Sequence, residues 1–167
     1  MNEKRQIFFL YVILFFLSCN LDNQSRNIIL DFPTFEIENN SNQLKQLILT
    51  KYKNKAVYVD VGGPWCRGCR EEVPSMKLLQ DSLSSTDVVF LFLCVKSNKS
   101  ECQKFVIGNK LVGEHYYLND LQSKELAQSH GILAYPTYLI YNRTGKCEYQ
   151  DAPRPSNNLT IAILKNL

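Results

Sequence analysis

Residues Gly62–Pro74 read GGPWCRGCREEVP and place Cys66 and Cys69 two residues apart, directly behind a tryptophan. The preceding segment, Ala56–Val61 (AVYVDV), is nearly all apolar, as expected of a strand that is buried on both faces. The following segment, Arg70–Leu83, carries apolar side chains at helical spacing. The cysteine pair is therefore predicted to lie between the end of a buried strand and the start of a helix.

Two cysteines at this spacing can close a small disulfide ring or supply half of a four-thiolate metal site. A metal site needs a second closely spaced pair of ligands, whereas Cys94, Cys102 and Cys147 are spread widely and the two histidines are not paired. The pattern therefore favours redox chemistry. Free N–H groups and the helix dipole stabilise an anion at a helix N-terminus, so Cys66 is predicted to be the nucleophile. Cys69, one turn further along, is predicted to resolve the mixed disulfide.

The rest of the chain predicts an α/β fold with a mixed sheet and helices on both faces. The alternation of strands and helices gives a parallel core, and a hairpin signal at Asn142–Lys146 adds antiparallel strands. The other predicted strands are Ile28–Ile37, Asp87–Val95, Ala134–Tyr141 and Cys147–Gln150, and the other predicted helices are Ser41–Lys53, Glu101–Ile107, Leu121–Ser129 and Asn157–Leu167.

The N-terminus has the pattern of an export signal. A positive start at Lys4 and Arg5 precedes the apolar run IFFLYVILFFL at Ile7–Leu17. This run is too short to cross a bilayer of about 30 Å as a helix, and it suits the core of a secretory signal. Ser18 and Cys19 follow, which resembles a bacterial lipoprotein signal whose cysteine is lipidated and becomes the new N-terminus. The alternative is a short, uncleaved anchor, and both interpretations place the domain outside the cytoplasm.

The predicted organisation is a signal peptide at 1–18, a lipidated Cys19 with a polar tether at 19–27, and one domain at 28–167. The 167 residues suffice for one packed domain. The formal charge of +3 is spread along the chain without a basic cluster, so no nucleic-acid partner is expected. Outside the cytoplasm six cysteines meet an oxidising environment, and the five that remain after lipidation cannot all pair.

Several residues around the cysteine pair resemble the thioredoxin active site. Trp65–Cys69 (WCRGC) is similar to the thioredoxin motif, and Asp60 stands where that family has a buried aspartate. Pro74 takes the place of the proline that kinks the active-site helix. Tyr135–Thr137 (YPT) opens a late strand, as the family's cis-proline does.

The resemblance is nearest to the TlpA/ResA-like branch of exported, membrane-tethered thioredoxins. That branch continues its motif as Cys-x-x-Glu-x-Pro, and Cys69–Pro74 (CREEVP) fits this pattern. The resemblance implies a thioredoxin fold over 28–167, an extra N-terminal strand, and an insertion in the middle of the fold. Lys99–Asp120 is expected to be that insertion.

The resemblance also implies a surface that binds substrate. The Tyr135–Pro136 bond is expected to be cis and to pack against the two sulfur atoms, which leaves neighbouring backbone groups free to pair with an extended polypeptide. Trp65 is expected to form part of the same docking surface. Its alternative role is that of a core residue without a function.

Two carboxylates are candidates for proton chemistry. Asp60, if it is buried and its pKa is raised, can exchange protons with Cys69; the alternative is a solvated carboxylate at the end of a strand. Glu72 lies on the same helix face as Cys69 and resembles the branch's active-site glutamate, which tunes the thiols. The alternative for Glu72 is a solvated surface acid. Two carboxylates beside one dithiol resist thiolate formation, which favours a reductant.

The remaining cysteines allow more than one interpretation. Cys94 lies inside an apolar strand and is either a small buried hydrophobic residue or the disulfide partner of Cys102. Cys147 has no evident partner. The turn-like segment Asp151–Ser156 (DAPRPS) receives no chemical role.

The sequence therefore predicts a lipid-anchored thiol–disulfide oxidoreductase that faces the periplasm from a bacterial membrane. Its partners are expected to be proteins carrying disulfides or thiols, and its electrons are expected to come from a membrane dithiol reductase. No dissociable cofactor and no metal is required, because the cysteines are the redox centre. Two alternatives stay open: a module that binds Cu(I) through the two thiols, and a non-catalytic assembly protein with an inert disulfide.

Overall fold

The computed structural model describes residues 29–31 and 43–167, which form a mixed sheet of six strands flanked by five helices. The elements in chain order are β1 (Ile29–Asp31), α1 (Gln43–Lys51), β2 (Val57–Gly62), α2 (Arg67–Ser82), β3 (Val89–Cys94), α3 (Lys99–Gly108), β4 (Glu114–Tyr117), α4 (Asp120–His130), β5 (Thr137–Tyr141), β6 (Cys147–Tyr149) and α5 (Asn158–Lys165).

The sheet has the strand order β1-β4-β3-β2-β5-β6. The first four strands in this order are parallel to one another. Strand β5 pairs antiparallel with β2, and β6 pairs antiparallel with β5. The predicted thioredoxin fold with a mixed sheet is therefore confirmed. Strand β2 lies in the middle of the sheet, and Val57, Val59 and Val61 on it are fully buried because the sheet is covered on both faces. Its carboxyl end is where the chain turns into the cysteine motif.

The predicted insertion contributes a helix and a strand. Helix α3 and strand β4 both fall within Lys99–Asp120, and β4 lies in the sheet between β1 and β3. Sequence analysis did not predict β4, because EHYY is short and half polar. His115 and Tyr116 are nevertheless buried, and this strand pairs on both sides, so tertiary pairing outweighs its weak local pattern. The extra N-terminal strand is present at the sheet edge as β1, and residues 32–37 of the predicted strand lie outside the described residues.

Two element boundaries differ from the prediction for reasons that concern the site. Helix α2 begins at Arg67 rather than at Arg70, because the Cys66 sulfur accepts the backbone N–H of Cys69 and serves as the N-cap. The late strand begins at Thr137 rather than at Ala134. The cis peptide bond before Pro136 bends the chain there, and proline has no N–H to donate to a neighbouring strand.

The second pair of cysteines also forms a disulfide. Cys94 at the end of β3 is bonded to Cys102 in α3, so Cys94 is not the unpaired small hydrophobic residue that one interpretation expected. Cys102 is fully buried, in a cluster with Ile29 and Val106. This disulfide therefore attaches the inserted helix to the sheet. Among the described residues, Cys147 is the free thiol.

We expect the Cys94→Ala/Cys102→Ala variant to lose about 2 to 3 kcal/mol of unfolding free energy, because the unfolded chain gains the freedom of the loop that the bond closes. The loop spans a sequence separation of 8 residues. Denaturant unfolding of the oxidised protein measures the loss. Cys147→Ala is the matched control, since that half-buried thiol closes no loop. Equal stability of the double variant and this control would contradict a stabilising role.

The predicted signal peptide, Cys19 and the tether up to Asn27 lie outside the described residues, and they stay predictions. Within residues 29–31 and 43–167, no helix has both the length and the apolar character that a bilayer crossing requires.

Candidate active site

Cys66 and Cys69 form a disulfide where β2 turns into α2. Both residues are buried, with 4% of Cys66 and 7% of Cys69 exposed, so Cys69 is not the more buried of the two. Because neither sulfur stands clear of the surface, a partner must fit closely against the surrounding residues to reach Cys66.

The start of α2 distinguishes the two sulfur atoms. The Cys69 N–H donates to the sulfur of Cys66 over 3.1 Å, and the other first-turn N–H groups point towards the same end of the helix. Negative charge is therefore favoured on Cys66 rather than on Cys69. The Arg67 guanidinium, next to Cys66 in the chain, forms an exposed ion pair with Glu71 at 2.7 Å, so it contributes little to the negative charge at the sulfur.

The predicted cis bond between Tyr135 and Pro136 is present. Pro136 packs against the first turn of α2 at Gly68, which lies between the two cysteines. A Cβ atom added to Gly68 would come within 2.9 Å of Pro136 Cδ, closer than real carbon atoms approach. A glycine is therefore needed here so that the cis-proline loop can lie against the disulfide.

An aromatic surface borders the disulfide. The Trp65 indole donates to the carbonyl of Val95 over 2.9 Å, and its ring meets the Tyr135 ring edge-on with centroids 5.5 Å apart. Trp65 is 45% exposed, so it is not a core residue. Sequence analysis missed one neighbour, Lys96, whose ammonium lies 4.8 Å from the centre of the Tyr135 ring. Lys96 carries no local sequence signal that marks it as part of this surface.

A small cavity lies on the inner side of the disulfide. Asp60, Cys69 and Glu72 are among its lining residues, and its volume of about 40 Å³ leaves room for water. Gly62 also lines it, and a Cβ atom there would overlap the Cys69 sulfur. The same point lies 3.9 Å from Asp60 Oδ1. The sulfur of Cys69 and the carboxyl of Asp60 are therefore close enough to exchange a proton through a water molecule in the cavity.

Asp60 is the half-buried residue of the otherwise buried strand β2, and its side chain lines this cavity. Burial of the carboxyl group itself is the larger cause that raises the pKa of Asp60 to about 7, and the negative charge of Glu72 is the second. An acid with this pKa is partly protonated at neutral pH, so it can both accept and donate a proton there. The geometry and the charge state both fit the role that sequence analysis assigned to Asp60.

Glu72 is only 9% exposed, so the alternative of a solvated surface acid is wrong. Both carboxylate oxygens accept hydrogen bonds from Ser156: the backbone N–H donates to Oε2 at 3.0 Å, and the hydroxyl donates to Oε1 at 2.8 Å. The guanidinium of Arg154 lies 3.9 Å from Oε1. Sequence analysis gave these two residues no role, because they stand more than 80 positions from Glu72 in the chain.

The Cys94–Cys102 disulfide lines the opposite part of the same cavity, together with apolar residues of α3 such as Val106. The inserted helix thus supplies one wall of the space beside Cys69. In the part of the chain that the structure describes, no three side chains of histidine, cysteine, aspartate or glutamate gather in a way that could hold a metal ion.

Comparisons with known proteins agree with this geometry. The profile of the Redoxin family matches residues 31–167. The thiol–disulfide oxidoreductase ResA of Bacillus subtilis (strain 168) is 24% identical over 156 residues, which cover 87% of this chain and 84% of that protein. The ResA protein of Geobacillus thermodenitrificans (strain NG80-2) is 24% identical over 116 residues, which cover 70% of this chain and 62% of that protein.

Solved structures show the same fold. A solution structure from Bacteroides vulgatus, of a protein assigned as a thiol–disulfide oxidoreductase, superposes with a TM-score of 0.63 at 26% identity and covers 71% of this chain and 76% of that one. The crystal structure of the thioredoxin domain of a thiol–disulfide oxidoreductase from the same species gives a TM-score of 0.63 at 18% identity and covers 71% and 82% of the two chains.

Proposed function

Because the chain belongs to the Redoxin family and is a thiol–disulfide oxidoreductase with a thioredoxin fold, we propose that it reduces disulfides of proteins outside the cytoplasm. The observation that carries the direction of electron flow is the pair of carboxylates, Asp60 and Glu72, that lines one cavity with Cys69. Their negative charge opposes the formation of a thiolate at Cys69. The reduced form therefore gains no stability from a thiolate at Cys69, and a pair whose reduced form lacks this stabilisation is the stronger reductant.

The proposed reaction transfers two electrons in two exchange steps. The Cys66 thiolate attacks one sulfur of the partner's disulfide, forms a mixed disulfide, and releases the other partner sulfur as a thiolate. Asp60 then takes the proton of the Cys69 thiol, and the Cys69 thiolate attacks the Cys66 sulfur. This step closes the Cys66–Cys69 disulfide and releases the second partner sulfur, which takes up a proton from Asp60 or water.

The surface around the disulfide supports a protein rather than a small molecule as the partner. Trp65 offers exposed apolar area beside the disulfide, and Lys96 adds one positive charge next to the Tyr135 ring. The bend at Pro136 ends strand pairing, so neighbouring backbone groups are available to an extended polypeptide. A second protein dithiol must then reduce the Cys66–Cys69 disulfide again, and we propose that a membrane dithiol reductase supplies these electrons.

The N-terminal sequence supports a lipid anchor on Cys19 and a domain that faces the periplasm. The support is the short apolar run at Ile7–Leu17 followed by Ser18 and Cys19. Recovery of the full-length chain in the soluble fraction of its own bacterium, rather than with the membranes, would contradict the anchor.

The reductant role predicts a low reduction potential. The full-length chain in detergent is equilibrated with mixtures of reduced and oxidised glutathione. In the mixture in which half of the glutathione is reduced, we expect the Cys66–Cys69 pair to remain largely a disulfide. Alkylation of free thiols followed by mass spectrometry measures the oxidised fraction. If glutathione readily reduced the Cys66–Cys69 disulfide, the proposed direction of electron flow would be wrong. The disulfide exchange activity would not be contradicted by that result.

A further inference from the structure

We propose that the segment Asp151–Ser156, which we call the C-terminal strap, holds the charge of Glu72 against Asp60 and so sets the pH range in which Cys69 can resolve the mixed disulfide. The strap connects the antiparallel strand β6 with helix α5. In this proposal Ser156 and Arg154 are positioning residues that act through Glu72. The inference rests on the proposed function, since it concerns the proton that Asp60 removes from Cys69.

The strap is attached firmly to the body of the domain. Its two prolines restrict the backbone. Three hydrogen bonds fix it to β5, β2 and α5, namely Ala152 N–H to the Tyr138 carbonyl at 2.8 Å, the Tyr58 hydroxyl to the Pro153 carbonyl at 2.8 Å, and the Thr160 hydroxyl to the Arg154 carbonyl at 2.6 Å. Because these contacts come from three different elements, the position of Ser156 is determined by the fold and not by its immediate neighbours.

The strap holds the Glu72 carboxylate in one orientation. The N–H and the hydroxyl of Ser156 bond one carboxylate oxygen each, and the Arg154 guanidinium approaches one of the same oxygens. Turning the carboxylate would break one of the two bonds to Ser156.

Glu72 is the charged group that acts on Asp60 from a neighbouring element. The titratable groups around Asp60 are Cys69 and Glu72 on α2, Tyr138 on β5, and Tyr58 on its own strand, while its partner on β3 is the apolar Phe92. Burial raises the pKa of both tyrosines far above their usual range, so they stay neutral near pH 7. Movement of the Glu72 carboxylate therefore changes how strongly Asp60 holds its proton.

The test compares Ser156→Ala with the parent chain in the rate of disulfide reduction as a function of pH. Ser156 is exposed, so the change opens no cavity, and it removes the hydroxyl bond to Glu72. A Glu72 carboxylate held only by the N–H of Ser156 and by Arg154 can turn away from Asp60, which lowers the pKa of Asp60 because the charge of Glu72 is one cause of its rise. The profile is expected to move to lower pH, so that the fraction of the plateau rate retained at about pH 6 rises about twofold to threefold.

Three further variants separate this effect from a general loss of structure. Ser156→Thr keeps the hydroxyl and is expected to restore the parent profile. Ser84→Ala removes an exposed serine hydroxyl that bonds the carbonyl of Asp81, outside the cavity and the strap, and it is expected to leave the profile unchanged. Ser156→Gly, which removes the same hydroxyl with a different backbone preference, is expected to shift the profile as Ser156→Ala does.

A double-mutant cycle tests whether the strap acts through Glu72. Glu72→Gln removes the charge, and Ser156→Ala added to it is expected to cause no further shift, since the group through which Ser156 acts is already neutral. An equal shift in both backgrounds, or an active Ser156→Ala variant whose profile superposes on the parent profile, would overturn the inference. Absence of disulfide reduction by the parent chain would instead refute the proposed function.

Discussion

Cys66→Ser is expected to abolish disulfide reduction, with a loss of at least about 1000-fold. A serine hydroxyl is not ionised near neutral pH and cannot form the mixed disulfide, so the covalent route is closed. The full-length chain, reduced beforehand, is mixed with a disulfide-bonded reporter protein, and the appearance of reporter thiols is followed. Cys147→Ser is the matched control, because it also removes one thiol, and we expect it to retain the parent rate.

Cys69→Ser is expected to behave differently from Cys66→Ser. The Cys66 thiolate still attacks, but no second thiol is available to release the partner, so a mixed disulfide accumulates. Gel electrophoresis without reductant detects it as a shifted band that a strong dithiol removes. If Cys66→Ser formed the trapped complex and Cys69→Ser did not, the assignment of the two sulfurs would be reversed, and the charge argument from the start of α2 would be wrong.

Asp60→Asn is expected to make the oxidised protein more stable at alkaline pH and at the same time less active. The pKa of Asp60 is raised from 3.8 to about 7 in the folded chain, and each pKa unit corresponds to about 1.4 kcal/mol. Replacing the buried charge by a neutral amide therefore removes a penalty of at most about 4 kcal/mol. The loss of the proton acceptor for Cys69 is expected to slow disulfide reduction about 100-fold.

The pH dependence of that stability gain follows from the sign of the pKa shift. Between about pH 4 and pH 7 the folded chain keeps the proton of Asp60 while the unfolded chain loses it, so the stability of the parent chain falls as the pH rises through this window. Below about pH 4 the carboxyl is neutral in both states, and parent and variant should unfold with similar free energies. Above about pH 7 the full difference should be present and constant.

Asp87→Asn is the matched control for this experiment. The Arg143 guanidinium, which bonds both carboxylate oxygens, lowers the pKa of the exposed Asp87 carboxyl. Its contribution to stability is present at neutral pH and disappears as the pH falls, so this substitution cannot raise stability at alkaline pH. Denaturant unfolding of all three oxidised proteins at about pH 4 and about pH 8 measures the effect. An Asp60→Asn variant no more stable than the parent at the higher pH would contradict a raised pKa of Asp60.

The cysteine motif and its position in the fold could be predicted from the sequence because they depend on short stretches of chain. An apolar strand, two cysteines at a spacing of one helical turn, and an amphipathic helix follow one another within Ala56–Leu83. Asp60 and Pro74 lie inside that stretch, and their roles, like the cis bond before Pro136, were implied by the resemblance of these short motifs to the thioredoxin family. Each motif is local, so its likeness to the family was visible without the fold.

Contacts between distant segments could not be predicted in this way. Strand β4 has a weak local pattern, and it is a strand because β1 and β3 pair with it. The burial of Glu72 likewise depends on which residues pack against its side chain. Its helix position was known from the motif, but an acid on a charged helix was equally compatible with solvent until Ser156, 84 positions away, was seen to bond both oxygens.

The sequence by itself therefore determined the fold class, the reacting sulfur atoms and the carboxylates near them, since covalent spacing and hydrophobic periodicity are properties of neighbouring residues. Only the tertiary structure decided which carboxylates are buried, which hydrogen-bond donors contact them, and which cysteines form the second disulfide. Burial and hydrogen bonding are set by whatever packs against a side chain. In this chain the groups that pack against Glu72 come from the strap, at the far end of the sequence.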